Sequence, residues 1–215
     1  MAGSLRDLTE RALALVCLVI AAPVLAAAAL AVWIEDGWPI FFRHGRVGKG
    51  GSRFEVLKLR SMRTSSGAQL TAQGDPRITA VGRLLRKYKL DELPQLWNVV
   101  KGEMSLVGPR PEVTQFVDMS NSDWVEMLSV KPGITSATTL LLRDEEKLLA
   151  EQDDPERFYR EHLLPLKLRC QKRQIQASSF SNDLLLIVFT IYYSLFPSRF
   201  DANFVRRRFL AEEKL

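Results

Sequence analysis

Cysteine and histidine are scarce in this chain, with Cys17, Cys170, His44 and His162 the only four among 215 residues. One cysteine lies inside an apolar run and the other among charged residues. They form no disulfide framework and point to a reducing, cytosol-facing environment. No Cys/His cluster has zinc spacing, which excludes a zinc centre of the usual kind. Gly48, Gly50 and Gly51 stand close together but at neither the Walker nor the dinucleotide spacing, so they read as a turn. There is no internal repeat and no low-complexity tract. Aromatic residues make up 9% of the chain, and they are not gathered into a nucleic-acid recognition motif. The His-rich or repeated acidic signature of a phosphatase is also missing.

What is present begins with charge. The formal net charge is +5 and the sequence pI is near 9.4. Nucleic acid, anionic lipid and sugar nucleotides all fit as partners. The length suits one domain with an appendage and can bury a core. Residues 12–34 carry no charge over 23 positions. As a helix they reach roughly 35 Å, against about 30 Å for a bilayer core. A spanning helix is one reading. Pro23 at the centre and basic residues on both flanks (Arg6 and Arg11 before, Arg43 to Arg63 after) support another, a re-entrant helix that returns to the face it entered. A signal peptide is the third reading. The run is longer than a signal core, and a basic, cysteine-poor domain follows. Residues 184–196 are apolar apart from Thr190 and Ser194. They are too short to span and read as an interfacial or core helix.

Between these segments the pattern predicts a small α+β domain. Two strand-like runs, 39–47 and 54–59, flank the glycines as a β-hairpin. Residues 64–74 are polar and read as a loop. Residues 79–89 have helical spacing, with Val81, Leu84, Leu85 and Tyr88 on one side and Arg83, Arg86, Lys87 and Lys89 on the other. A second helix is expected from Asp91 to Lys101, capped by Gly102. Pro94 then falls in or just after its first turn. Residues 131–133 read as a type II turn, and residues 144–162 as an amphipathic helix.

The chemistry concentrates at Asp91 and Glu92, two adjacent carboxylates downstream of an arginine-rich stretch. Pro109-Arg110-Pro111 follows, an arginine braced between two prolines. Carboxylates that can hold a metal, flanked by fixed cations, suit a phosphorylated substrate. The plain alternative is an acid pair complementing a helix N-terminus. Beside an apolar anchor, the pair suggests an enzyme acting on a lipid phosphate. The rival readings are a membrane-attached basic module that binds nucleic acid or anionic lipid without catalysis, and a lipid phosphatase.

Several motifs in order carry a family likeness. They are Phe41-Phe42-Arg43 with Arg46-Val47-Gly48, Lys58-Leu59-Arg60-Ser61-Met62, and Asp75-Pro76-Arg77-Ile78-Thr79 with Gly82 and Leu85-Arg86. Leu90-Asp91-Glu92-Leu93-Pro94-Gln95-Leu96-Trp97-Asn98-Val99 forms the centre. It continues through Gly102-Glu103-Met104-Ser105-Leu106-Val107-Gly108-Pro109-Arg110-Pro111 to Lys131-Pro132-Gly133-Ile134-Thr135 and Asp183-Leu184. In this order they closely resemble the bacterial sugar transferases known as monotopic phosphoglycosyl transferases.

The resemblance implies a mainly α fold with a small β-hairpin. A re-entrant membrane helix (residues 1–38) precedes a compact catalytic domain (39–200) with interfacial amphipathic helices, and a basic tail (201–215) follows. It implies an enzyme on the cytoplasmic face of the bacterial inner membrane, embedded in its lipids and needing Mg2+. That enzyme moves a phosphosugar from a UDP-sugar to a polyprenyl phosphate such as undecaprenyl phosphate and releases UMP, at the first membrane step of glycoconjugate assembly. Nucleic acid is not a partner, and a homodimer is left open. Asp91 and Glu92 fall on the family's acidic dyad. Asp91 is the expected nucleophile, linked also with the metal, and Glu92 a base or metal partner. Lys58, Arg86 and Arg110 fall on basic positions expected near the phosphates. Asp183 is counted with the substrate-binding residues, and capping of the helix that follows is its other reading.

The chain departs from the family pattern at Lys89, where relatives carry Ser or Thr, and at Ser136, where glycine is usual. It departs also at His44-Gly45, and at Gln171 and Gln174, where an acid and a tyrosine are usual. Without a large N-terminal extension the chain reads as a minimal catalytic form. If residues 12–34 return to the face they entered, single cysteines at Ser4 and Gly37, in a chain lacking Cys17 and Cys170, react with an impermeant reagent from the same side of the membrane. Labelling from opposite sides means a spanning helix.

Overall fold

The computed structural model of the protein describes residues 2–63, 71, 72 and 74–210. Most of the loop expected at 64–74 and the last five residues of the expected tail lie outside them. The N-terminal apolar run forms one helix, α1 (Ala2–Asp36), assigned without interruption through Pro23. It is long and apolar enough to cross a membrane. One stripe of it faces the rest of the chain. Ala14 joins Val56, Leu96, Val99 and Met104, while Ala28 and Val32 join Leu59 and Leu85. The opposite stripe, including Leu8, Val16, Val19, Ile20 and Ile34, is exposed.

Polar contacts fasten both ends of α1 to the same body. Near its start, Arg6 donates to Asp183 at 2.5 Å and Asp7 pairs with Lys131. At its end, Asp36 pairs with Arg60 at 3.1 Å. The Glu35 carboxylate there accepts from the backbone of Ala80 at 2.7 Å and Val81 at 2.9 Å. Those two amides open the next helix, so a carboxylate from α1 satisfies orphan donors at a helix N-terminus.

The hairpin forms as its pattern predicts. Strands β1 (Phe41–Val47) and β2 (Arg53–Leu59) pair antiparallel, Phe41 opposite Leu59 and Val47 opposite Arg53. The basic helix is α2 (Ala80–Lys87), capped by Thr79, whose hydroxyl accepts from Gly82 at 2.9 Å. The helix expected from Asp91 is shorter than predicted. Leu90–Glu92 make a 3-10 turn, and α3 (Gln95–Lys101) starts only after Pro94. Proline carries no amide hydrogen, so the chain turns there before the α-helical hydrogen bonds begin. Gly102, with φ +83°, closes α3 in the left-handed conformation.

Strand β3 (Ser105–Val107) follows, then α4 (Ser122–Met127). Strand β4 (Gly133–Thr135) pairs parallel with β3, Ser105 opposite Gly133 and Val107 opposite Thr135. The sequence pattern did not announce this pair, because each strand is only three residues long. Its close approach depends on glycine: a Cβ on Gly133 would fall on the amide of Gly108. Gly133 donates to the Pro109 carbonyl at 2.9 Å and Gly108 to that of Thr135 at 3.0 Å. These bonds fix where Pro109-Arg110-Pro111 leaves the sheet.

The amphipathic stretch 144–162 is divided. After α5 (Ala137–Leu141) come α6 (Glu145–Ala150), α7 (Pro155–Phe158) and a π-helical turn, Tyr159–Leu163. Pro155 breaks the run, and Asp154 caps the new start through the amide of Arg157. Helix α8 (Leu164–Gln176) and the apolar α9 (Phe180–Leu195) complete the domain. Beyond residue 201, α10 (Ala202–Val205) inserts Val205 among Leu140, Leu166, Cys170 and Leu186. Each fully buried side chain of this kind contributes about 1.5–3 kcal/mol. Helix α9 exposes Phe180, Leu184, Val188, Ile191 and Leu195, one stripe at three- and four-residue spacing.

Candidate active site

The dyad sits on the 3-10 turn between α2 and α3, with Asp91 and Glu92 both buried. Lys89, which precedes it, has φ +56° and is the one non-glycine residue of positive φ among those described. That conformation costs about 1–2 kcal/mol, and the surrounding packing holds it. Behind the turn, Asn98 of α3 binds the hairpin. Its Oδ1 accepts from the Leu57 amide at 3.1 Å, and its Nδ2 donates to the Glu55 carbonyl and to Glu103, each at 2.7 Å. Asn98 thereby sets the position of Lys58, the next residue of β2.

Glu92 Oε1 receives Lys58 Nζ at 2.7 Å and Arg110 Nη2 at 3.1 Å. Burial alone would raise this carboxyl. Lys58, Arg110 and Lys89 outweigh it and hold Glu92 well below the usual carboxylate range. Glu92 in return pushes Arg110 further up. Asp91 moves the opposite way. Burial raises it first and the Glu92 charge raises it further, against Lys58, Lys89 and Arg86. Its Oδ1 is buried without a hydrogen-bond partner. An unpartnered buried carboxylate oxygen is costly, and Asp91 Oδ1 lacks the partners that Glu92 Oε1 has. The two carboxyls have separate environments, which suits separate roles.

The arrangement can also hold a hard dication. Magnesium uses one or two carboxylates and takes its remaining oxygens from water and substrate phosphates. Asp91 Oδ1 offers one free ligand beside Glu92. Among the described residues no group of three or more His, Cys, Asp or Glu side chains gathers as a protein-only cage. The donor set fits a metal shared with a phosphorylated ligand.

The structure brings Asp91, Glu92, Lys58 and Arg110 together. Arg86 acts on Asp91 through its charge and is itself paired with Glu146. Asp183 lies in a different setting. It sits in the first turn of α9, ion-paired with Arg6, and joins α9 to α1. Sequence reading missed a second layer. Arg46 reaches Glu112 at 3.4 Å and donates to His44 Nδ1 at 3.2 Å. Glu112 accepts from the Tyr159 hydroxyl at 2.6 Å. Lys167 donates to Tyr159 at 3.1 Å and to Glu145 at 2.7 Å. Glu112 directly follows Pro109-Arg110-Pro111, which was the available signal. Tyr159, Lys167 and Glu145 come from distant segments that no spacing links.

Comparison with known proteins places the chain in a family. The family described as bacterial sugar transferase matches residues 1–196. A UDP-N-acetylgalactosamine-undecaprenyl-phosphate N-acetylgalactosaminephosphotransferase of Aeromonas hydrophila is 41% identical over 128 residues, covering 57% of this chain and 30% of that protein. A UDP-glucose:undecaprenyl-phosphate glucose-1-phosphate transferase of Caulobacter vibrioides is 45% identical over 120 residues, covering 53% and 45%. The exopolysaccharide production protein ExoY of Rhizobium meliloti is 37% identical over 138 residues, covering 56% and 61%. The matched regions thus make up between 30% and 61% of these three relatives.

The second layer generates a pH prediction. His44 is pulled down to about 4 from 6.5, by burial first and then by Arg46 and Lys58, with Glu112 opposing. The folded state keeps it neutral as an acceptor for Arg46. Between pH 6.5 and about 4 the unfolded chain therefore binds a proton that the fold refuses, and stability falls on acidification through that window. His44→Gln keeps an acceptor and removes the titration. Thermal melts of the variant lose less between pH 7 and 4.5 than those of the parent, and equal losses in both contradict this origin.

Proposed function

The chain belongs to the bacterial sugar transferase family, and from that premise we propose that it moves a phosphosugar from a UDP-sugar to a polyprenyl phosphate such as undecaprenyl phosphate, releasing UMP. The observation that carries the reading is the buried, unpartnered oxygen of Asp91 beside a Glu92 already neutralised by Lys58 and Arg110. An acid pair that only complemented a helix terminus has no need of this enclosure. A basic binding module has no need of an acid pair buried among its cations.

In the proposed mechanism the donor diphosphate lies against Lys58, Arg86 and Arg110. Asp91 and Glu92 would hold a magnesium ion, which would supply the charge that lets two anions approach. An Asp91 oxygen attacks the sugar-linked phosphorus. The bond to the bridging oxygen breaks, and that oxygen leaves with UMP. Arg110 and Lys58 stabilise the charge spread over the phosphoryl oxygens. An oxygen of the lipid phosphate then attacks the aspartyl phosphate, forming the lipid diphosphosugar and restoring the Asp91 carboxylate. Glu92 keeps Lys58 and Arg110 in place through both steps. Arg86 must exchange Glu146 for the donor.

The membrane reading rests on α1 and α9. Their exposed apolar stripes are the face that lipid covers. A helix crossing the bilayer would separate the contacts of Arg6 and Asp7 from those of Glu35 and Asp36, yet all four reach one body. We therefore read α1 as embedded from the cytoplasmic face with both its ends held against one body; the helix is continuous through Pro23 here, so a turn back at that proline requires it to bend.

Intact-protein mass spectrometry after mixing with a UDP-sugar, lipid acceptor absent, gives the added mass of one phosphosugar, mapped to Asp91. Asp91→Asn abolishes the adduct and lowers turnover by on the order of a thousandfold or more, while the protein still reaches the membrane. If no adduct is trapped across a panel of UDP-sugars, and UMP leaves only once both substrates are bound, transfer is direct and Asp91 is a metal ligand alone.

A further inference from the structure

Three carboxylates act on Arg110: Glu92, then Glu145 and Glu112. Only Glu92 takes a hydrogen bond from it among the described residues. The other two are held elsewhere by one pair of buried side chains. Lys167 binds Glu145 at 2.7 Å and the Tyr159 hydroxyl at 3.1 Å, and that hydroxyl donates to Glu112 at 2.6 Å. Tyr159 is 1% exposed, Lys167 6% and Glu112 8%. The other Glu112 contacts are longer, 3.4 Å from Arg46 and 3.2 Å from the Val113 amide. Both of these fall on Oε1, and among the described residues it is Tyr159 that satisfies Oε2.

We propose that Tyr159 and Lys167 are positioning residues for Arg110, which keep Glu112 and Glu145 from competing with the donor diphosphate for its guanidinium. A buried carboxylate oxygen stripped of its donor must find another. Arg110 has a fork of five N–H donors, and Glu112 is two residues away along the chain. Freed from Tyr159, Glu112 draws the fork off the phosphate site. Burial and Glu112 both push the Tyr159 hydroxyl up in pKa, so it stays a donor throughout. The competing explanation is that Tyr159 only fills the core beside Phe116, whose ring centroid is 4.9 Å away. Phenylalanine serves that purpose equally well.

The proposal rests on Arg110 being a phosphate ligand, and a double-mutant cycle on the full chain in lipid nanodiscs separates the two claims. The measured quantity is kcat/KM for a UDP-sugar, read as UMP release. Arg110→Lys keeps the charge and loses the fork, and its value falls about tenfold. Tyr159→Phe falls about tenfold as well, mostly through KM, with a melting temperature that leaves it folded at the assay temperature. The double variant is no more than about threefold below Arg110→Lys alone, since Tyr159 acts through the fork already lost. Losses that multiply to about a hundredfold, or a Tyr159→Phe enzyme with parental KM, overturn the proposal. Arg110→Lys with parental kinetics overturns the phosphate reading of Arg110 and the proposal with it, while the Asp91 adduct still tests the dyad separately. If Tyr159→Phe does not fold, Lys167→Gln, which removes the charge on the same hydroxyl, enters the same cycle with the same expected pattern.

Discussion

A buried carboxylate that must stay charged is the constraint on which the rest of this structure depends. Glu92 is enclosed, and an isolated ion there would simply take up a proton. It remains ionised because Lys58 comes from the hairpin and Arg110 from the segment leaving β3. Each cation needs its own support. Asn98 ties the hairpin to α3, and the glycine contact between β3 and β4 sets the exit of the arginine segment. Removing either cation leaves the other facing an incompletely neutralised buried anion, a loss that runs to about 3–5 kcal/mol in buried pairs. The 3-10 turn, the strained Lys89 and the short parallel strand pair are the means by which three segments meet at one carboxylate.

Neutralising Glu92 leaves Asp91 distinct from it. The two neighbours differ by one position in the chain and move in opposite directions from the ordinary carboxylate range. One serves as a fixed anion that organises cations. The other keeps an oxygen without a hydrogen-bond partner. The same logic extends outward, since Glu112 and Glu145 are satisfied by Tyr159 and Lys167. Helix α1, long and apolar enough to cross a membrane, packs against this body. Its inner stripe completes the core under the hairpin and α3, and its end carboxylate caps α2, the helix that leads into the dyad.

Much of this was legible in the sequence. The hairpin around Gly48 to Gly51, the basic α2 and the left-handed Gly102 followed from local rules that tertiary packing did not override. Of the cations that the family likeness led one to expect beside the dyad, the fold brings Lys58 and Arg110 onto Glu92, from segments 34 and 18 positions away. The start of α3 was misplaced by four residues, since Pro94 was taken as a first-turn residue of a helix beginning at Asp91 and instead stands at its cap. The β3–β4 pair left no periodic signal in three residues per strand. Asp183 was read as a ligand or a helix cap, and its observed partner, Arg6, lies 177 positions away in the chain. Tyr159 and Lys167 became visible only once folding had brought α8 and the π-helical turn beside Glu112, a juxtaposition that no sequence spacing encodes.

If Asp91 carries the phosphosugar between two half-reactions, the first half-reaction must run in reverse without lipid. Isotope exchange measures this directly. Labelled UMP, added with the matching unlabelled UDP-sugar and enzyme but no polyprenyl phosphate, should pass its label into the UDP-sugar, and Asp91→Asn should stop the exchange. Exchange that appears only when the lipid acceptor is present would contradict the covalent mechanism.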